Sequence, residues 1–413
     1  MGGASSRLHA MLREHSSSGS GGSAVKTQVT WMETGGIRVP VYTNSFWTSR
    51  QRQASSIHEI SYRACFKPQL PDFFIKMLTD EGDTVFDPFS GRGTTVIQGA
   101  LRRRSIISND INPLSGILTR PRLFPPEMNS VKDRLKDIRF EEGYKAEMDL
   151  SMFYHQRTLS HLVCLREYLL EARRTGETEE VDEWIGMVAT SRLTGHSPGF
   201  FSVYTLPPNQ AVSPGRQSLI NKKLDQKPPY RDVKALIIRK TRSLLRSLGP
   251  GDLENLRNAG RTAVFLEEEA SSLPGIPEDS ADLTVTSPPF LNIVQYAEDN
   301  WLRCWFNGID PADVESRMSN SPDLDQWKRA MAGAFRELHR VTKSGGWIAF
   351  EVGEIRKGAL RLEKHVAPIG IEAGLECVCI VLNNQTFTKT SNIWGVDNNR
   401  SGTNSNRIVV FRK

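Results

Sequence analysis

No run of apolar residues in this chain approaches the roughly 20 that span a bilayer. The first residues also lack the apolar core of a secretory signal. A membrane-embedded or exported protein is therefore not expected, and a cytoplasmic location is. Cysteine is sparse: Cys65, Cys164, Cys304, Cys377 and Cys379 follow neither metal-site nor disulfide-framework spacing, so no metal is expected. Cys377 and Cys379 flank a valine in an apolar run and read as small residues of a sheet strand. Charge is not one-sided either, since 53 basic against 47 acidic residues leave a formal +6. That balance is compatible with a polyanionic partner without requiring one.

With 413 residues the chain exceeds a usual single domain. Its Gly/Ser run SSSGSGGS predicts a flexible segment over residues 1–36, with order beginning near Ile37. From Leu70 the pattern becomes regular. LPDFFIKMLTD has amphipathic helical spacing. A short strand (Thr84–Phe86), a glycine turn, a helix from about Thr94 and a second strand ending in Asp110 follow. This is the βαβ pattern of a doubly wound parallel sheet. Residues 126–255 break that alternation and read mainly as helices, an insertion into an α/β domain built from 37–125 and 256–413. LEKHVAPIGIEAG predicts a helix interrupted by Pro368, and LECVCIVLNNQT with SNRIVVFRK predicts an antiparallel strand pair.

The glycine turn, DPFSGRGTT, is informative through what it lacks. Gly91 and Gly93 are present, but Val96 stands where a dinucleotide turn needs its third glycine. It also contains no lysine, which a P-loop requires. The ligand left is S-adenosylmethionine, with Asp87 before the turn and Asp110 placed to accept from ribose hydroxyls. A tight turn that packs helix on sheet is the alternative.

A second feature is TVTSPPFLN, where a β-branched run stops at two prolines that cannot donate to a ladder. Such an elbow, at the C-terminal end of a strand, lies where open α/β sheets bind substrate. The Ser287 hydroxyl and the carbonyls of Ser287 and Pro288 are acceptors, and Phe290 offers a flat face. Together they suit a planar heterocycle with an exocyclic amine. The same residues also serve simply to end a strand.

TSPPF, DPFSGRGTT and NDINP resemble motifs IV, I and II of the bacterial amino-directed DNA methyltransferases, which modify cytosine N4 or adenine N6. FKPQLPDFFIKML resembles their motif X, and the likeness covers 57–125 and 260–413. The resemblance implies a Rossmann-like seven-stranded methyltransferase sheet with a reversed edge hairpin, carrying a largely helical insertion. It implies S-adenosylmethionine held by Phe66, Asp87, Pro88, Phe89, Gly91, Gly93, Thr94, Asp110, Ile111 and Glu269. Catalysis falls to Ser287, Pro288, Pro289 and Phe290, on a base flipped out of double-stranded DNA. Ser-Pro-Pro-Phe favours cytosine N4, with adenine N6 as the alternative and a non-catalytic DNA-binding protein as a further one. Restriction-modification, with a cognate endonuclease as partner, belongs to the same implication.

Three departures stand out. Arg92 occupies a position often serine in the family, Glu269 replaces the commoner aspartate with Glu267 and Glu268 beside it, and the cofactor motifs precede the elbow. For DNA contact the basic candidates are Arg50, Arg52 and Arg63, and in the insertion Lys222, Lys223, Arg239 and Lys240. A solvated basic face is the alternative for each group.

Overall fold

The protein is described by a computed structural model over residues 3–18, 24–48, 53–62, 65–205, 211–289, 296–317, 323–355, 360–384 and 405–413. Nine strands form its main sheet: β1 (Gln28–Thr34), β2 (Ile37–Asn44), β3 (Thr84–Asp87), β4 (Ser105–Asn109), β5 (Val264–Leu266), β6 (Ala281–Thr286), β7 (Thr342–Val352), β8 (Glu376–Asn384) and β9 (Ser405–Arg412). Their spatial order is β1-β2-β8-β9-β7-β6-β3-β4-β5. Strands β5, β4, β3, β6 and β7 run parallel. β9 lies antiparallel between β7 and β8. Seven strands from β8 to β5 thus form the expected Rossmann-like sheet with its reversed hairpin, and β1 and β2 extend it.

Side chains alternate between two cores, as the two-residue period of a strand dictates. Trp347, Ala349, Ile408 and Val410 face one layer, whereas Ile348, Phe350, Val409 and Phe411 face the other. The first layer holds helices α1 (Gly3–Glu14) and α2 (Gln69–Leu78), and α3 (Thr94–Leu101) packs beside α2. After α4 (Leu114–Thr119) comes a helical block: α5 (Met128–Asp137), α6 (Gln156–Thr175), α7 (Glu180–Thr190), α8 (Pro214–Lys223), α9 (Val233–Leu245) and α10 (Pro250–Thr262). The chain continues through α11 (Tyr296–Asn307) and α12 (Pro311–Arg317), then α13 (Leu324–Val341) and α14 (Glu363–Glu372) of the second layer. No helix among the described residues is long and apolar enough to cross a membrane.

Three expectations change. The segment before residue 37 is ordered where it is described. Leu8 and Leu12 of α1 are buried against the sheet, and β1 pairs with β2 along its full length. Apolar residues four apart were enough to dock α1 despite the adjoining Gly/Ser run, of which residues 19–23 lie outside the described set. The insertion boundary at 255/256 falls inside α10, which packs on α3, so the helix belongs to the sheet domain. Pro368 lies within α14 without ending it, because Val366, Ala367, Ile369 and Gly370 are held in the second core. Cys377 and Cys379 are small buried residues of β8 as expected, and a bulge between them sends the two thiols to opposite faces.

Candidate active site at the strand ends

Strands β3, β4 and β6 end side by side, and the sequence features gather at that edge. Asp87 closes β3 with a buried carboxylate that accepts from Thr286 Oγ1 at 2.6 Å and the Phe89 amide at 3.1 Å. The turn after it bends back through Gly91 (φ +54) and Gly93 (φ +70), a left-handed region that favours glycine. Asp110, just past β4, accepts from the Gly91 amide at 2.7 Å and the Asn112 amide at 2.9 Å. Thr95 Oγ1 donates to the Val285 carbonyl at 2.9 Å, tying α3 to β6.

The two glycines have different reasons. A Cβ on Gly93 would come within 2.3 Å of Thr119, so this glycine is a packing requirement. At Gly91 the space is ordinary, with Cys65 and Tyr62 3.8 Å away, and the conformation alone selects glycine.

Electrostatics distinguish the two aspartates. Burial pushes Asp87 up to about 7, and its hydrogen bonds only partly offset this. Burial likewise raises Asp110 to about 6, with Glu267 adding to the rise. No cation is among the groups acting most strongly on either carboxylate. A buried and a half-buried carboxylate at adjacent strand ends suit a ligand with positive charge and hydroxyls. S-adenosylmethionine, with its sulfonium, ammonium and ribose, fits that donor set.

Arg92 does not reach toward the ligand side of the turn. It is buried, donating to the Ile60 carbonyl at 3.0 Å, the Phe66 carbonyl at 3.4 Å and Thr94 Oγ1 at 3.2 Å. Arg122, fully buried beside it, donates to the carbonyls of Leu118, Ile57 and Arg92. The pair staples Ile57, Ile60 and Phe66 onto the glycine turn, so its charge is spent on backbone carbonyls. His58 is part of this packing, with Nε2 3.0 Å from Gln98 Oε1 and its pKa lowered to about 3 by burial and then by Arg122 and Arg92.

Of the three glutamates after β5, Glu267 adds to the rise of Asp110 and lines a recess of about 250 Å³ with Ser108, Ile117 and Phe265. Glu268 turns to the Gly275 amide, and Glu269 is exposed in the following turn. Asn109 fixes that turn by exchanging bonds of 2.9 Å with the Glu268 backbone.

At the elbow, Ser287 donates its hydroxyl to Glu351 Oε2 at 2.6 Å, and Asn406 holds the other oxygen at 3.0 Å. The Pro289 carbonyl accepts from Trp327 Nε1 at 3.0 Å. Phe290 lies outside the described residues. Sequence reasoning missed Glu351, although a lone carboxylate in the apolar run WIAFEV of β7 was a usable signal. Burial raises its pKa despite the bonds from Ser287 and Asn406.

The structure brings Asp87, Pro88, Phe89, Gly91, Gly93, Thr94, Asp110 and Ile111 to one edge with Ser287 and Pro288. Phe66 reaches the turn through its carbonyl. Of the basic candidates, Arg50, Arg52 and Arg63 lie outside the described residues. Lys222 and Lys223 are exposed at the end of α8, Arg239 faces the loop after α7, and Lys240 turns to the Glu59 carbonyl.

Residues 27–114 match the model of the N6/N4 DNA methylase family, a span that takes in the β1–β2 hairpin. The type II methyltransferase M.BsoBI of Geobacillus stearothermophilus is 23% identical over 68% of this chain and 60% of its own length. M.MjaII, a type II methyltransferase of Methanocaldococcus jannaschii, is 28% identical over 33% of this chain and 26% of its own. The chain thus spans less than two thirds of either relative. A SAM-dependent methyltransferase of Methanosarcina mazei is 10% identical, over 82% of this chain and 96% of that one, with a TM-score of 0.31. The glycine turn, the paired aspartates and the elbow thus lie on one edge of a chain whose residues 27–114 match the N6/N4 DNA methylase family.

Proposed function

We propose that the protein methylates the exocyclic N4 amine of a cytosine flipped out of duplex DNA. One observation carries this reading: Ser287 donates its hydroxyl hydrogen bond to Glu351, so its oxygen presents lone pairs. An exocyclic NH2 is a donor, and a serine can accept from it only if its own proton points elsewhere. Glu351, held by Asn406, provides that elsewhere. Bound S-adenosylmethionine supplies an electrophilic methyl group. Asp87 and Asp110 hold the ammonium and ribose ends of that cofactor. Ser287 and the Pro288 carbonyl orient the amine so that its lone pair leaves ring conjugation and faces the methyl. Catalysis is then chiefly positioning and desolvation.

Cytosine is favoured over adenine because a serine, not an aspartate, opens the Pro-Pro elbow. The named relatives are type II methyltransferases, which supports a role in restriction-modification with a partner nuclease. Single-molecule sequencing of DNA from cells expressing the chain tests base and site together. N4-methylcytosine at one recurring sequence is expected. N6-methyladenine would replace the cytosine reading, and unmodified DNA would remove the activity.

A further inference from the structure

Two arginines from different elements hold the same short loop of the helical block. Arg192, just past α7, stacks its guanidinium 4.0 Å over the Phe200 ring. Arg239 of α9 donates to the Pro198 carbonyl at 3.0 Å. Lys240 stands beside them and turns its ammonium to the Glu59 carbonyl. Arg303 of α11, the helix that follows the elbow, donates to the Ser61 carbonyl at 3.2 Å and lies over Tyr62, the residue next to Gly91. Cations therefore run continuously from the glycine turn to the insertion.

The charges of Arg192, Arg239 and Lys240 are poorly matched, although Glu59 acts on Lys240. Glu59 is engaged with Arg246. Among the described residues no carboxylate forms an ion pair with Arg192, Arg239 or Lys240. Burial, then Arg303 and Arg239, lower Arg192 to about 10, and burial, then Arg192, lowers Lys240 to about 7. Cations are not gathered in this way without cost, and an anion between them would offset it. Packing on Phe200 fixes Arg192 in one orientation, as suits a fork that pairs with phosphate.

We propose that Arg192 and Arg239 clamp one phosphodiester of the DNA strand whose base enters the elbow, with Lys240 and Arg303 reinforcing the local potential. This rests on the DNA reading above and adds where the backbone is gripped. The test is duplex DNA binding by the full chain, measured by fluorescence anisotropy over a salt series. Arg192→Gln with Arg239→Gln should flatten the slope of log affinity against log salt by about 0.9, the loss of one phosphate contact. Cofactor binding by calorimetry should be unchanged, and Arg192→Lys should keep the slope. Folded variants with the parental slope and affinity would overturn the clamp while leaving the function standing. A parent chain that binds no duplex at all would overturn both. Should Arg192→Gln fail to fold, Arg239→Gln alone carries the test, since Arg239 is exposed.

Discussion

Asp87 ends its strand with a carboxylate held near pKa 7 by burial, against an ordinary 3.8. The folded protein keeps this proton between about pH 4 and 7, where the unfolded chain has lost it. Stability of the ligand-free protein should therefore fall as pH rises through that window and level off above it. A cationic cofactor favours the ionised form, so its affinity should rise over the same interval, and its binding should release protons. Calorimetry in two buffers of different ionisation enthalpy measures this, and Asp87→Asn should remove most of the dependence. Equal affinity from about pH 5.5 to 8 would exclude the ammonium contact. Ser287→Ala should bind cofactor normally yet lose about ten- to hundredfold in turnover, the ~1.5–3 kcal/mol of a hydrogen bond to a charged group. Unchanged turnover would sink the role given to Ser287. Neither Arg92's direction nor Glu351's partner was legible, because residue type does not say which way a side chain points.

At the scale of elements, the strand–turn–helix–strand unit was readable because its periods are local and its glycines fall between them. The N-terminal helix was not. Its four-residue spacing of Leu8 and Leu12 is too short a pattern to outweigh SSSGSGGS, and only the sheet face beneath supplies the missing apolar surface. Leu12→Ala should thus cost about 2–5 kcal/mol, as for any fully buried leucine. Chemical denaturation checks it, and a change within error would mean α1 contributes nothing to the fold. Gly93→Ala combines a left-handed φ with a 2.3 Å clash against Thr119. The backbone conformation alone should destabilise by about 1–3 kcal/mol, measurable as a lowered thermal midpoint.

At the scale of the molecule, the site is assembled across a long interruption. β3 and β4 precede the helical block, whereas β5 and β6 follow it, and the parallel pairing of β3 with β6 and of β4 with β5 rejoins them. A cofactor that touches both halves stabilises only the joined state. At a hundred times its dissociation constant, S-adenosylmethionine should add about 2.7 kcal/mol, seen as a concentration-dependent rise in thermal midpoint. An unmoved midpoint at saturation would mean that the halves are not bridged.

Sequence alone determined the parallel sheet, the glycine turn, the paired aspartates and the proline elbow, since each depends on neighbours within a few residues and on backbone rules of glycine and proline. Tertiary structure decided that Arg92 faces inward, that Glu267 acts on Asp110, that Ser287 donates its hydrogen bond to Glu351, and that Arg192 joins Arg239. Those pairings link residues up to 157 positions apart. Their partners are chosen by which faces the packed strands and helices bring together, and no local spacing encodes that.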